Sequence, residues 1–237
     1  MALPRLNDTP QYELVIPSSG DTVSYRPFLV KEQKVLLMAS EAQDIKQVVS
    51  SILTCIEGCV SDIDIKKLST FDVDYIFTQI RSKSVGETAT IMSPCSECEH
   101  KNEVKIELDK ISVDVKNLPK NVIKLNSEIS VRMKYPTYLE MLNNNSIMKQ
   151  ESGTEVLFAA IAACIESVMT EEENIPLSDE SREEVDAFLN SLSPDQFELI
   201  TQFVNSIPKI QYETEYQCES CQHHNKLTLE GIQDFFS

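Results

Sequence analysis

The sequence predicts an α+β protein: a small antiparallel sheet with a two-knuckle, four-cysteine, zinc-ribbon-like module, plus N-terminal and inserted helical segments. Three observations predict it. The apolar pattern shifts from a helical to a two-residue period near residue 87, returns to helical near 137, and two matching Cys-x-x-Cys turns bracket that second helical stretch.

Each element follows from its pattern. Tyr12–Ile16 and Val23–Tyr25 flank Pro-Ser-Ser-Gly-Asp, which reads as a β-hairpin. From Val30 to Gly58 the period is helical: Val35, Leu36, Met38 and Ala39 form one face, and Ile45, Val48, Val49, Ile52, Leu53 and Ile56 another. A third helix over Phe71–Arg81 aligns Val73, Ile76, Phe77 and Ile80, and Gly86 suits the turn that closes it. Thr88–Met92, Val104–Leu108, Ile111–Val115, Val122–Leu125 and Ile129–Met133 then read as strands of one small antiparallel sheet.

Tyr138–Val168 reads as helix, broken at Asn143–Asn145, and the acidic stretch 171–186 as a loop running into another helix. Ser193, Pro194 and Gln196 spell a capping box with proline at the first helical position, opening a helix whose face is Phe197, Ile200, Phe203, Val204 and Ile207. Ile210–Tyr216 and Leu227–Leu229 are the last strands. The expected organisation is therefore 1–86 as hairpin and helices, 87–136 with 209–237 as the knuckle-bearing sheet, and 137–208 as the helical insertion.

The composition excludes several functions. With 237 residues, 21 Lys+Arg against 38 Asp+Glu give a net charge of −17. That charge repels phosphate backbones and anionic lipid, and no Lys/Arg run offsets it, so neither nucleic acid nor membrane anchoring is expected. The longest apolar run, Val156–Ile165, is about half a membrane span. The first residues lack the basic start and apolar stretch of a signal peptide, so a reducing cytoplasm and free thiols are expected.

Seven cysteines include two similar units. Cys95-Ser-Glu-Cys98-Glu-His100-Lys-Asn102 precedes Val104–Leu108, and Cys218-Glu-Ser-Cys221-Gln-His223-His-Asn225 precedes Leu227–Leu229. In each, two thiols three residues apart sit on a polar turn before a strand. A tight turn aims both sulfurs at one ion while backbone N–H groups soften the thiolate charge, and two such turns complete a tetrahedral Zn²⁺ site. Cys95, Cys98, Cys218 and Cys221 are the expected ligands. Cys98 and Cys218 stand about 120 residues apart, a loop whose closure costs about 4 kcal/mol, against roughly 10–16 kcal/mol from structural zinc in small peptides. Four thiolates close the coordination shell, so the metal is structural rather than catalytic. A thioredoxin-like dithiol would want its pair at a helix N-terminus, and His100 and His223 read as turn residues.

The remaining candidates favour plain structure. Cys55, Cys59 and Cys164 lie among apolar helical residues and read as buried thiols. Stretch 171–186 lacks the glycine and ligand spacing of a calcium loop. Phe71, Tyr75 and Phe77 read as core. No HExxH, Walker, GxSxG or GxGxxG motif occurs, and all three histidines stand beside the knuckles, so no enzyme is expected. Carboxylates are plentiful, but no pair stands out for a hydrolase.

The run Tyr25–Glu41 (Tyr-Arg-Pro-Phe-Leu-Val-Lys-Glu-Gln-Lys-Val-Leu-Leu-Met-Ala-Ser-Glu), then Phe71–Glu87 and a Cys-x-x-Cys knuckle, resembles the baseplate hub and hub-assembly proteins of T4-like tailed bacteriophages. The order of elements matches over roughly residues 24–108 and more loosely beyond. The resemblance implies a non-enzymatic subunit or assembly factor of the hub of a contractile tail, placed in the virion baseplate or in the host cytoplasm during assembly. Its implied partners are other hub, tape-measure or tail proteins, with an oligomer left open. The runner-up reading is a zinc-ribbon adaptor of transcription or replication.

Overall fold

The computed structural model describes residues 9–42, 44–115, 118–143 and 153–231. The chain divides into two compact units: residues 1–115 with 209–237, and 116–208.

The first unit opens with strands β1 (Tyr12–Val15) and β2 (Thr22–Tyr25), paired antiparallel. Gly20, at φ 77°, supplies the left-handed residue of the connecting turn. The two helical faces expected over 30–58 are helices α1 (Val30–Ala42) and α2 (Ile45–Cys59); between them Asp44 turns extended and caps α2 by accepting from the Lys46 N–H at 2.9 Å. Helix α3 (Thr70–Val85) starts from a capping box in which Ser69 and Asp72 satisfy each other's backbone amides. Asp72 is fully buried and also accepts from the Ser18 N–H at 2.9 Å, tying the β1–β2 turn to α3. Phe71, Ile76 and Ile80 are buried, as the apolar period of this segment requires, and Gly86 ends the helix at φ 133°.

Strands β3 (Thr88–Pro94) and β4 (Lys101–Glu107) form a hairpin in register from Thr88↔Glu107 to Pro94↔Lys101. A short strand, β5 (Ser112–Val113), follows.

The second unit departs from the sequence reading. Strands β6 (Val122–Lys124) and β7 (Ser130–Met133), expected beside the knuckles, belong to a separate four-stranded sheet. The helix expected over Tyr138–Val168 is α4 (Tyr138–Asn143) and α5 (Gly153–Cys164), the expected break at Asn143–Asn145 extends outside the described residues, and after α5 the chain becomes strand β8 (Ile165–Met169). Ile165 and Ser167 bury while Glu166 is exposed, so this stretch has a two-residue burial period where the sequence reading extended the helix. Within the stretch read as an acidic loop, Asn174–Pro176 forms β9, giving the order β6-β7-β8-β9.

Helices α6 (Arg182–Ser191) and α7 (Pro194–Asn205) complete this unit, α7 with the expected Ser193–Gln196 capping box and Pro194 at its start. The unit's core joins Val131, Met133, Ile161, Ile165, Leu189, Ile200 and Phe203. No helix among the described residues is long and apolar enough to cross a membrane.

Back in the first unit, β10 (Ile210–Gln217) and β11 (His224–Glu230) pair from Gln211↔Glu230 to Gln217↔His224. Strand β10 also pairs with β5 through Ile210↔Val113 and Gln211↔Ser112, so β11-β10-β5 is a sheet separate from β3–β4, where the alternation predicted one sheet for both knuckles. Ile91, Val104, Ile106, Leu108, Ile111, Ile210, Tyr212 and Leu229 form one core, so the two knuckle hairpins share it. Tyr75 packs against this core, and Phe71 and Phe77 are buried, as expected.

Candidate metal centre

Each knuckle is the loop of a hairpin. After Pro94↔Lys101 pair, the Cys95 N–H donates to the His100 carbonyl (2.9 Å) and the Glu99 N–H to the Cys95 carbonyl (3.0 Å). After Gln217↔His224, the Cys218 N–H donates to the His223 carbonyl (2.9 Å) and the Gln222 N–H to the Cys218 carbonyl (3.0 Å). Glu99 and Gln222, each one residue past the second cysteine, take left-handed φ of 57° and 62°. A non-glycine residue there carries strain, which the repeated carbonyl contacts hold in place.

Two asparagines bind the loops to one another. Asn102 Nδ2 donates to the His100 carbonyl (2.9 Å) in its own loop, while its Oδ1 accepts from the Glu219 N–H (2.9 Å) in the other. Asn225 mirrors this: Nδ2 donates to the His223 carbonyl (3.1 Å) and Oδ1 accepts from the Ser96 N–H (3.0 Å). Asn225 Nδ2 also lies 3.5 Å from Cys95 Sγ, and Ser96 Oγ donates to its Oδ1 at 3.0 Å. The knuckles are therefore related by a local pseudo-two-fold, with each side chain bracing the opposite loop. Below them, Tyr216 OH donates to the Pro94 carbonyl (2.9 Å), which leaves Ser93 Oγ to donate to Tyr216 OH (3.0 Å). Asn102 and Asn225 were visible in sequence only as a shared turn residue; their common offset from the first cysteine was the signal for a common job.

The structure brings all four expected cysteines together. Their sulfurs lie within 4.8 Å of one another, with Cys95···Cys221 and Cys98···Cys218 each at 3.6 Å. Zinc–sulfur bonds near 2.3 Å in a tetrahedron set sulfurs about 3.8 Å apart. A disulfide would need about 2.05 Å, and these are free thiols. Cys95 and Cys218 are buried and Cys98 and Cys221 exposed. His100 and His223 are exposed and serve through their carbonyls; among the described residues, the ligand-competent group is the four cysteines alone.

The electrostatics favour thiolate where the N–H groups converge. Burial pushes the Cys95 thiol up, but the Glu97 and Cys98 amides and the Asn225 side chain outweigh it and bring it to about 6. The Cys221 and Ser220 amides hold Cys218 below the ordinary thiol range against burial. At Cys221 the His223 amide lowers the pKa, yet the Cys98 contact, burial and the other sulfurs raise it to about 12. Four thiolates this close repel one another, so full deprotonation needs a cation among them. The donor set therefore fits a thiophilic, tetrahedral ion.

The other cysteines lie apart from this cluster. Cys55, Cys59 and Cys164 are buried. Cys55 is raised by its hydrogen bond with Cys59 and by burial, and Cys164 is pushed by burial to about 12. Cys59 is lowered by that same hydrogen bond and by Arg26 against burial, and all three side chains are buried in the apolar core.

Two cross-braced hairpins that bring four thiols to one point define a four-cysteine cluster compatible with a metal ion. The family model described as T4 bacteriophage base plate protein matches residues 9–237, nearly the whole chain, and the chain belongs to that family. Membership assigns it to the bacteriophage tail base plate, in contact with other tail or base-plate proteins. No curated protein and no solved structure matches it significantly.

Proposed function

We propose that this chain is a non-enzymatic component or assembly factor of the hub of a contractile-tail base plate, working through protein–protein contacts and stabilised by a structural zinc. Cys95, Cys98, Cys218 and Cys221 would hold the ion, which supplies cross-linking of two sequence-distant hairpins rather than chemistry on a substrate. The observation that carries the metal half is the four-sulfur cluster at the meeting point of two braced loops. The family match and the net charge of −17 support the base-plate half and weigh against a nucleic-acid adaptor.

Mass spectrometry of purified virions, with zinc measured on the recombinant protein, tests both halves. Stoichiometric presence in virions identifies a base-plate component, and presence only in infected cells identifies an assembly factor. Normal hub formation in a phage lacking the chain overturns the hub role. Metal-free protein with unchanged stability overturns the zinc role.

A further inference from the structure

Helix α1 is poorly buried for a core-forming element. Of its thirteen residues only Glu32 and Ala39 are buried, while Val30, Leu37 and Met38 are 78%, 58% and 60% exposed and Val35 is exposed as well. Ile45, just past the helix, is also exposed. An isolated helix of this length is marginal in water, and α1 packs on α2 while burying few residues of its own. Val30, Lys34, Leu37, Met38 and Glu41 fall on one helical face, with exposed Leu37 and Met38 at its centre flanked by Lys34 on one side and Glu41 on the other.

The order of those residues is antipalindromic in charge and palindromic in apolar character about the point between Leu37 and Met38. Within the helix, Leu37 mirrors Met38 and Lys34 mirrors Glu41. Lys34 and Glu41 are both exposed. Two antiparallel copies of α1 crossing at Leu37/Met38 would set apolar against apolar there and Lys34 against Glu41 on either side, within the helix itself. A parallel crossing would set Lys34 against Lys34. Self-complementarity under a two-fold is what an isologous interface requires.

We propose that the α1 ridge is a self-association surface that pairs two copies of this chain antiparallel about a two-fold axis between Leu37 and Met38. One helix pair covers less than a standard interface, so the dimer should be weak and reversible, with Kd on the order of 10 μM. The surface lies outside the cysteine cluster, and the inference does not depend on zinc.

Sedimentation of the full chain from about 1 to 200 μM tests it. The expected result is a monomer–dimer equilibrium. Lys34→Glu should weaken it roughly tenfold or more by placing two carboxylates together at both ends. Adding Glu41→Lys should return Kd to within about threefold of the unmodified chain, because the swapped pair is again complementary. Leu37→Glu should abolish the dimer, and circular dichroism checks that the fold is kept. A chain monomeric throughout this range overturns the proposal, as does a charge-swapped variant no stronger than Lys34→Glu, or a dimer surviving Leu37→Glu. A monomer that captures a base-plate protein, and loses it in Leu37→Glu, assigns the ridge to another occupant and also overturns it.

Discussion

Replacing Asn225 with alanine tests whether the cross-bracing, rather than the cysteines alone, builds the four-sulfur site. The side chain is 7% exposed and serves four groups: the Ser96 N–H and Oγ, the His223 carbonyl and Cys95 Sγ. An ordinary hydrogen bond contributes about 0.5–1.5 kcal/mol net, and an unsatisfied buried amide costs about 1–3 kcal/mol. Ser96 is itself exposed at the loop, so water can replace part of the loss there. The expected destabilisation is about 2–4 kcal/mol. Removing an outer partner of a metal ligand typically lowers affinity roughly 10–100-fold. Asn225→Asp separates the roles: it can still accept from Ser96 but no longer donates to the sulfur, and it adds negative charge beside thiolates. Zinc affinity by competition with a chromophoric chelator, and thermal unfolding with and without chelator, are the two readouts. Asn102→Ala, which removes no contact to sulfur, should cost less affinity than Asn225→Ala. Equal zinc affinity in Asn225→Ala and the unmodified chain would refute the bracing argument.

Other expectations concern separate parts of the chain. Cys95→Ser and Cys218→Ser should each release the metal and destabilise the knuckle hairpins, whereas Cys164→Ser should leave metal content unchanged by elemental analysis. Glu32 is 7% exposed and pairs with Arg26 Nη2 at 2.8 Å. Burial raises its pKa, but the Arg26 and Lys31 pairs and the Leu29 N–H outweigh this and hold it below the usual carboxylate range. Its stabilising contribution is thus present above the ordinary carboxylate pKa and lost as pH falls through the lowered one. Glu32→Gln should cost about 1–3 kcal/mol at pH 7 and flatten the loss of stability below about pH 4 in urea titrations. Ser193→Ala removes the α7 cap and should cost about 1 kcal/mol by urea denaturation; no measurable change would mean the capping box is not holding that helix start.

Much of this structure was legible in the residues. The Ser193–Gln196 box works through local chemistry alone, and it forms as read. The cysteine pairs were legible because matching spacing on matching turns is rare by chance. What failed was assignment decided by partners distant in sequence. Ile165–Met169 follows directly on the apolar helical run and is too short for its own period to decide, and its pairing with Ser130–Met133 settles it as strand. For the same reason Val122–Met133 alternates like the knuckle strands yet joins a different sheet. Ser69–Asp72 is a capping box with aspartate at its fourth position, where glutamate or glutamine is the usual signal, and Asp72 is held further by Ser18 from a remote turn. The bracing by Asn102 and Asn225 needed the two loops to be face to face before it had meaning.

The pairing of β5 with β10 has a consequence for how such a chain changes over time. Ser112–Val113 and Ile210–Gln211 run antiparallel as immediate neighbours, so the whole stretch 116–208 leaves and re-enters the first unit through one narrow doorway. Topologically that stretch is a very long hairpin loop. Because closure entropy rises only logarithmically with length, the doorway tolerates cargo of very different sizes. A short turn, or an unrelated domain with adjacent termini, should fit in its place without shifting the registers that present the cysteines. The clasp and the cargo can therefore diversify separately, with new surfaces tried in the insertion while the frame that holds it stays fixed.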